Sequence, residues 1–147
     1  MVQKARRQVR NLTKDFHTLG EDTQTRVVVA DDSDPREWLA DAWVCPLLRQ
    51  RNMAHAGVMS VESGLEVVRA EQSGSYFMAC IGGVGEVLFD GGWRKLRSGQ
   101  ACLLPPFVQN AFRSVPGEPW SFVWVRYLES RDIVPIATSH SPVQGAF

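Results

Sequence analysis

The sequence predicts a mainly β protein that folds as one small antiparallel barrel, and three observations support this prediction. Short apolar runs alternate with glycine turns across residues 74–106. Within that stretch, the Asp-Gly pair at residues 90–91 supplies the positive φ that a tight hairpin needs. Further along, residues 120–128 are largely apolar on both alternating faces, which is typical of a central strand that is buried on both sides.

The individual strands are predicted from period-two apolar patterns that end at Gly, Pro, Asn, Asp or Ser. Two connections follow from the same pattern. Residues 62–64 are predicted to close a hairpin, and the Gly82-Gly83 pair is predicted to separate two strands. The predicted strands are residues 26–30, 56–61, 65–69, 75–81, 86–89, 93–96, 101–104, 109–114 and 120–128, the last with Trp120, Phe122, Trp124 and Arg126 on one face.

A single helix is predicted near residues 35–48, before the main run of strands. Asp34 is a suitable N-cap, Pro35 suits the first helical position, and Glu37 follows the cap by three residues. Apolar side chains at helical spacing, beginning with Trp38, predict a stripe that packs on the barrel. Pro46 is expected to kink or end this helix.

The chain has 147 residues, which is enough for one domain. We predict three parts: an N-terminal arm, a barrel and a tail. Residues 1–25 form the arm, which begins with five basic residues and no acid before Asp15. Residues 26–129 form the barrel with its packed helix. Residues 130–147, rich in Pro, Gly and Ser, form a tail or linker, and we expect the native gene product to continue past Phe147.

Composition limits the partners and the compartment. The net charge is zero at pH 7, so the chain has no field that would attract nucleic acid or an acidic membrane. Three cysteines without C-x-x-C spacing favour reduced thiols over a disulfide scaffold. No long uncharged apolar stretch is present. We therefore expect a cytoplasmic protein that does not insert into a membrane.

Several of these segments, in their order and spacing, resemble the N-terminal cupin domain of AraC-type transcription regulators. The resemblance covers about residues 56–129 and is found in Gly83-Val84-Gly85, Asp90-Gly91-Gly92, Gly99-Gln100-Ala101-Cys102-Leu103-Leu104-Pro105-Pro106 and Trp120-Ser121-Phe122-Val123-Trp124-Val125. It implies a jelly-roll barrel, also called a double-stranded β-helix. It also implies an effector-sensing and dimerisation domain, whose DNA binding is done by a C-terminal helix-turn-helix domain absent from this chain.

The resemblance also implies a ligand site inside the barrel, formed by Arg69, Phe112, Phe122 and Trp124. The guanidinium of Arg69, seven residues before Tyr76, suits hydroxyls or a carboxylate. Phenyl rings at residues 112 and 122 replace polar contacts of the family, which suggests a ligand less polar than a sugar, or a sugar whose pose uses other donors. Two alternatives stay open: the aromatic residues are ordinary core, or Arg69 makes an ion pair at the rim with a nearby glutamate.

No catalytic residue, metal site or cofactor is predicted. His17, His55 and His140 are scattered without H-x-H spacing, and Asn110 stands where many cupins have a histidine ligand. No nucleophile elbow or P-loop occurs. The alternative function is a small cupin enzyme acting on a sugar or small acid, and a structural or storage cupin is a third, weaker interpretation.

Overall fold

The computed structural model describes residues 16–69, 75–89, 91–104, 109–128 and 143–146. These residues form β-strands and two short 3₁₀ turns, named η1 and η2. In chain order the elements are β1 (Phe16–Thr18), β2 (Gln24–Val29), η1 (Glu37–Leu39), β3 (Trp43–Val44), η2 (Pro46–Arg51), β4 (Met53–Val61), β5 (Glu66–Arg69), β6 (Tyr76–Phe89), β7 (Gly92–Arg97), β8 (Gln100–Leu104), β9 (Asn110–Ser114), β10 (Trp120–Tyr127) and β11 (Val143–Ala146).

Two sheets make up the barrel, and β6 belongs to both. The first sheet has the order β1-β5-β9-β6-β7, and the second has the order β3-β2-β4-β10-β6-β8-β11. All pairs are antiparallel except β2 with β3. The predicted hairpin at residues 90–91 is confirmed, because β6 and β7 pair from Phe89 opposite Gly92 to Val84 opposite Arg97. The mainly β barrel is therefore confirmed.

The predicted turn at Gly82-Gly83 is wrong, because β6 runs through both glycines as one strand of 14 residues. The glycines let the strand bend from one sheet into the other. Gly83 has a φ of 68°, and a Cβ there would overlap the carbonyl of Pro119. The register with β10 shifts at the same level, between Ser121 and Phe122. The glycine signal was present, but it marks a bend in a continuous strand.

The predicted hairpin of residues 56–61 with residues 65–69 is also wrong, although both strands exist. Strand β4 pairs with β2 and β10, whereas β5 pairs with β1 and β9 in the other sheet. The backbone of Leu65 is held across the gap by Ser114, whose N–H donates to the Leu65 carbonyl at 2.9 Å. Because β4 and β5 lie in different sheets, their inner faces pack on a shared core, which a two-stranded hairpin cannot do.

The predicted helix at residues 35–48 is wrong as well. Asp34 accepts a hydrogen bond from the backbone N–H of Arg36 at 3.1 Å and forms a local turn that does not cap a helix. Only the three-residue turn η1 follows, and the chain then extends into β3, where the N–H of Cys45 donates to Val29 at 2.7 Å. Pairing with the edge of β2 has therefore overridden a local helix signal. We call residues 30–52 the strap.

The core lies between the two sheets and consists of side chains from the inner faces of both. Strand β10 is central, as predicted, with β6 on one side and β4 on the other. The largest core cluster contains Met59, Val61, Leu65, Val67, Tyr76, Met78, Cys80, Val87, Leu96, Cys102, Leu104, Phe112, Trp120, Phe122 and Trp124. Trp38 of the strap packs against this cluster, so the predicted packing of this side chain holds without a helix.

Most of the predicted arm, residues 1–25, and most of the tail, residues 130–147, lie outside the described residues. Within the described part of the tail, β11 pairs antiparallel with β8. In the ranges that the structure describes, no helix has the length and apolar character needed to cross a membrane.

Candidate ligand-binding site

The four residues predicted as the ligand site lie together in the barrel interior. Arg69 ends β5, Phe112 lies on β9, and Phe122 and Trp124 lie on β10. They line one small cavity together with Trp38, Met59, Tyr76 and Met78. Arg69 is 9% exposed and faces this cavity, which favours an interior position over the ion pair at the rim.

The cavity is nearly filled by its own aromatic walls. Its volume is about 20 Å³, little more than the roughly 10–15 Å³ that one water molecule needs. The ring centroid of Phe122 lies 6.0 Å from Phe112 and 6.0 Å from Trp124. In this conformation the aromatic residues are therefore core as well as cavity lining, and a ligand can enter only if a side chain moves.

Tyr76 lies between the apolar cavity and the charged end of the barrel. The Cζ atom of Arg69 lies 4.9 Å from the centroid of its ring, and that of Arg126 lies 6.0 Å from it. A guanidinium over an aromatic face is attracted by the ring quadrupole. These contacts hold both arginines close to the interior.

His55 lies at the centre of the charged end and is 1% exposed. Its Nδ1 accepts a hydrogen bond from Trp124 Nε1 at 3.0 Å, and its Nε2 lies 3.4 Å from Arg36 Nη2. Burial lowers the pKa of His55 to about 3, and the positive charges of Arg36, Arg126 and Arg69 act in the same direction. The imidazole is therefore neutral at pH 7.

Asp34 is the carboxylate nearest to this cluster, and Arg36 holds it in a forked ion pair. Arg36 Nη2 lies 2.6 Å from Asp34 Oδ2, and Arg36 Nε lies 2.9 Å from Oδ1. These hydrogen bonds lower the pKa of Asp34. Arg126 Nη1 lies 3.8 Å from the same Oδ2. One carboxylate thus faces two guanidinium groups.

Three residues of the charged end were not predicted as site residues: Arg36, His55 and Arg126. A signal existed for Arg126, because period two places it on the face of Trp120, Phe122 and Trp124. Extending the strand at residues 56–61 by one residue would likewise have placed His55 on the inner face with Met59. Nothing in the local pattern places Arg36 there, because the strap was predicted as a helix.

Two further concavities lie near this site. One, of about 100 Å³, is lined by His55 and Arg126 together with the strap residues Asp31, Asp34 and Arg49. The other is an open groove of about 950 Å³ on the outside of the barrel, along β2, β3 and β4. The outer groove is larger, but it lacks the convergent buried charges of the interior, so we take the interior as the candidate site.

Metal ligands are not grouped in the part of the chain that the structure describes. No cluster of three or more His, Cys, Asp or Glu side chains there is arranged to hold an ion. His55 faces arginines and Trp124, which donate hydrogen bonds and do not bind metals. The absence of a metal in the native protein remains a prediction.

Comparison with protein families identifies the segment that contains most of the site. Residues 69–132 match the AraC-like ligand binding domain. The resemblance predicted from the sequence is confirmed for this segment. It includes all four predicted site residues, together with Tyr76 and Arg126, whereas Arg36 and His55 lie before it.

Solved structures similar to this chain include cupin domains and a polyketide cyclase. A cupin domain of an XRE family transcriptional regulator from Enterobacter cloacae has a TM-score of 0.53 and 13% identity, covering 75% of this chain and 100% of that chain. A cupin-like protein from Thermotoga maritima has a TM-score of 0.53 and 16% identity, covering 76% and 71%. The polyketide cyclase RemF from Streptomyces resistomycificus has a TM-score of 0.51 and 13% identity, covering 82% and 75%.

At these identities the similarity establishes the cupin fold and nothing about activity. The search of curated proteins found no match. The fold class predicted from the sequence is confirmed apart from its helix. The chain is a cupin-fold protein with an AraC-like ligand binding segment.

Proposed function

We propose that this chain is the effector-sensing and dimerisation domain of an AraC-type transcription regulator, and that its effector is a small molecule bound inside the barrel. One observation supports this most. Arg69, Phe112, Phe122 and Trp124 line one interior cavity, within a segment that matches the AraC-like ligand binding domain. A charged anchor beside aromatic walls is the usual composition of a small-molecule site.

Binding requires the interior to open, and Trp38 is the side chain best placed to move. It is half-buried, on the short turn η1, and its ring centroid lies 6.1 Å from that of Trp124. The strap around it has no long helix or strand to hold it. In our proposal the effector takes the place of the Trp38 indole. Trp38→Ala should therefore enlarge the cavity and raise the affinity for the effector.

The test is ligand-induced thermal stabilisation with a panel of sugars, aromatic acids and neutral aromatic compounds. We expect at least one class to raise the melting temperature of the wild type, and the increase to be lost in Arg69→Ala. Arg97→Ala is the matched control, because Arg97 is exposed on β7, away from the cavity. If no class stabilises either the wild type or Trp38→Ala, the sensor proposal fails.

Dimerisation is part of the proposal and has a candidate surface. The outer face of the second sheet is apolar, with Val58 opposite Val123 and Val125 opposite Phe77. On the same strand, Phe77 is 40% and Ile81 is 50% exposed. Burying this face against a second copy would remove it from water. We expect light scattering to find a dimer that Phe77→Asp dissociates, and a monomeric wild type would exclude this part of the proposal.

In this proposal, a helix-turn-helix domain outside the chain binds the DNA. The regulator is located in the cytoplasm. The zero net charge of the chain supports this division, because phosphate contacts by Lys and Arg dominate affinity for DNA. The chain by itself should show no salt-dependent binding to duplex DNA in a mobility-shift assay. Binding that weakens with added salt would contradict the assignment.

A further inference from the structure

Trp38 separates the interior cavity from the open groove on the outside of the barrel. Among the residues that the structure describes, it is the one that lines both spaces. Beside it in the groove wall is Gly57, and a Cβ at this position would overlap the ring of Trp124. The groove therefore reaches the aromatic wall of the cavity. Rotation of one indole would join a volume of about 20 Å³ to one of about 950 Å³.

The neighbours of the Trp38 ring define the slot that this ring now fills. His55 lies nearly perpendicular to it, with centroids 5.4 Å apart and an interplanar angle of 88°. The Trp124 ring is tilted against it at 6.1 Å, and the Cζ atom of Arg36 lies 5.2 Å from its centroid. Perpendicular ring contacts and a guanidinium over a ring face both favour a flat, electron-rich ring over a saturated ring of similar size. The slot is therefore selective for aromatic rings.

The other walls of this slot are held independently of Trp38. Arg36 is fixed by its forked ion pair with Asp34, in which the shortest distance is 2.6 Å. Trp124 is fixed by its hydrogen bond of 3.0 Å to His55. Trp38 itself is half-buried on the three-residue turn η1, and the groove gives its indole space to turn outwards. The slot can therefore keep its shape when the indole leaves it.

We propose that the effector is an elongated, mostly apolar molecule with an aromatic ring. The ring replaces the indole of Trp38 in the slot, and the rest of the molecule lies in the groove. The groove volume is within the range of roughly 300–1,000 Å³ that is typical of small-molecule sites. Its walls are mostly apolar and also include Arg26 and Asp41. This inference rests on the proposed function and adds the class of the ligand and its route of entry.

Matched aromatic and saturated probes test the slot. We compare 2-naphthol with decahydro-2-naphthol by thermal shift and calorimetry, in the wild type and in Trp38→Ala. We expect 2-naphthol to bind the wild type, and to bind Trp38→Ala at least about tenfold more tightly because no indole must be displaced. Trp93→Ala, which removes a half-buried indole from β7, is the matched control and should bind as the wild type does. Equal or tighter binding of the saturated alcohol would overturn the aromatic slot.

Chain length tests the groove, with 3-methylindole and 3-butylindole as probes. Each buried CH₂ tightens binding roughly fourfold, so we expect the longer compound to bind the wild type at least about tenfold more tightly. Ala42→Phe should remove this gain, because Ala42 lines the groove. The control Ala40→Phe changes an exposed residue of the same strap and should keep the gain. Equal affinities in the wild type, or a full gain in Ala42→Phe, would contradict binding in the groove.

A fluorine signal reports the position of Trp38 in the unmodified sequence. The protein is labelled with 5-fluorotryptophan, and the Trp38 signal is assigned by its loss in Trp38→Phe. We expect 2-naphthol to shift this signal and to give it the solvent isotope effect of an exposed indole. An unchanged signal with bound 2-naphthol, or binding of sugars without 2-naphthol, overturns this inference and leaves an effector site that depends on Arg69. Absence of any binding, also in Trp38→Ala, refutes the proposed function itself.

Discussion

The buried, neutral His55 predicts a specific loss of stability in acid. The perturbation is His55→Gln, in which the side-chain oxygen can still accept the hydrogen bond from Trp124 while the titrating group is removed. Because the pKa of His55 is lowered from its ordinary value near 6.5 to about 3, the folded protein takes up this proton only in strong acid. The unfolded chain takes it up near pH 6.5.

The sign and size follow from proton linkage. Above pH 6.5 both states are neutral at this site and His55 makes no pH-dependent contribution. Below pH 6.5 only the unfolded state gains the proton, so the free energy of unfolding falls as the pH falls. The slope approaches about 1.4 kcal/mol per pH unit, which gives roughly 2 kcal/mol between pH 6.5 and pH 5. The lowered pKa of Asp34 changes the free energy of unfolding only below this pH window. The raised pKa of Glu66 affects the wild type and the variant alike, so it cancels in their comparison.

Urea unfolding monitored by tryptophan fluorescence at pH 7.5, 6.5, 5.5 and 5.0 measures this contribution. We expect the wild type to lose about 2 kcal/mol more than His55→Gln over that range, whatever the stability of the variant at pH 7.5. The comparison cancels the other titrating groups, which the two proteins share. Parallel pH profiles would refute the argument, because they would mean that His55 is protonated with a normal pKa in the folded protein.

Further predictions concern single side chains, with free energies of unfolding as the readout. Gly85→Ala should destabilise by about 1–3 kcal/mol, because a Cβ there overlaps the indole of Trp120; an unchanged stability would show that this ring moves freely. Trp124→Phe should cost about 1–3 kcal/mol by leaving His55 Nδ1 without a donor, and a smaller loss in the His55→Gln background would be the sign of this coupling. Trp43→Ser should change stability by less than about 0.5 kcal/mol, because Trp43 is 83% exposed; a large loss would mean that this side chain is covered in solution.

The features predicted correctly from the sequence are those set by neighbouring residues. Strand β10 was predicted with its buried face because alternation in residues 120–127 is a local pattern. The hairpin between β6 and β7 was predicted from the Asp-Gly pair in the sequence. In the structure Gly91 has a φ of 76°, the conformation that such a turn requires. In both cases a few adjacent residues contain the whole signal.

The errors come from partners distant in sequence. Residues 56–61 and 65–69 have the pattern of a hairpin, but β4 joins β10 and β5 joins β9, more than forty residues further along the chain. The strap has a well-formed helix start at Asp34, yet its later residues pair with β2. A local pattern reports which residues are apolar, and it does not report which sheet will bury them.

In the candidate site, too, the part set by local sequence was predicted and the part set by distant residues was not. Its aromatic half lies on β9 and β10, inside the segment that matches the AraC-like ligand binding domain, and was predicted from the resemblance. Its charged half depends on Arg36, which reaches His55 because the strap crosses the end of the barrel. The strap thus contributes Trp38 to the apolar cavity and Arg36 to the charged end beside His55. Arg36 also lies over the Trp38 ring, with its Cζ 5.2 Å from the ring centroid. In our proposal, a ligand that displaces Trp38 therefore also changes the environment of Arg36.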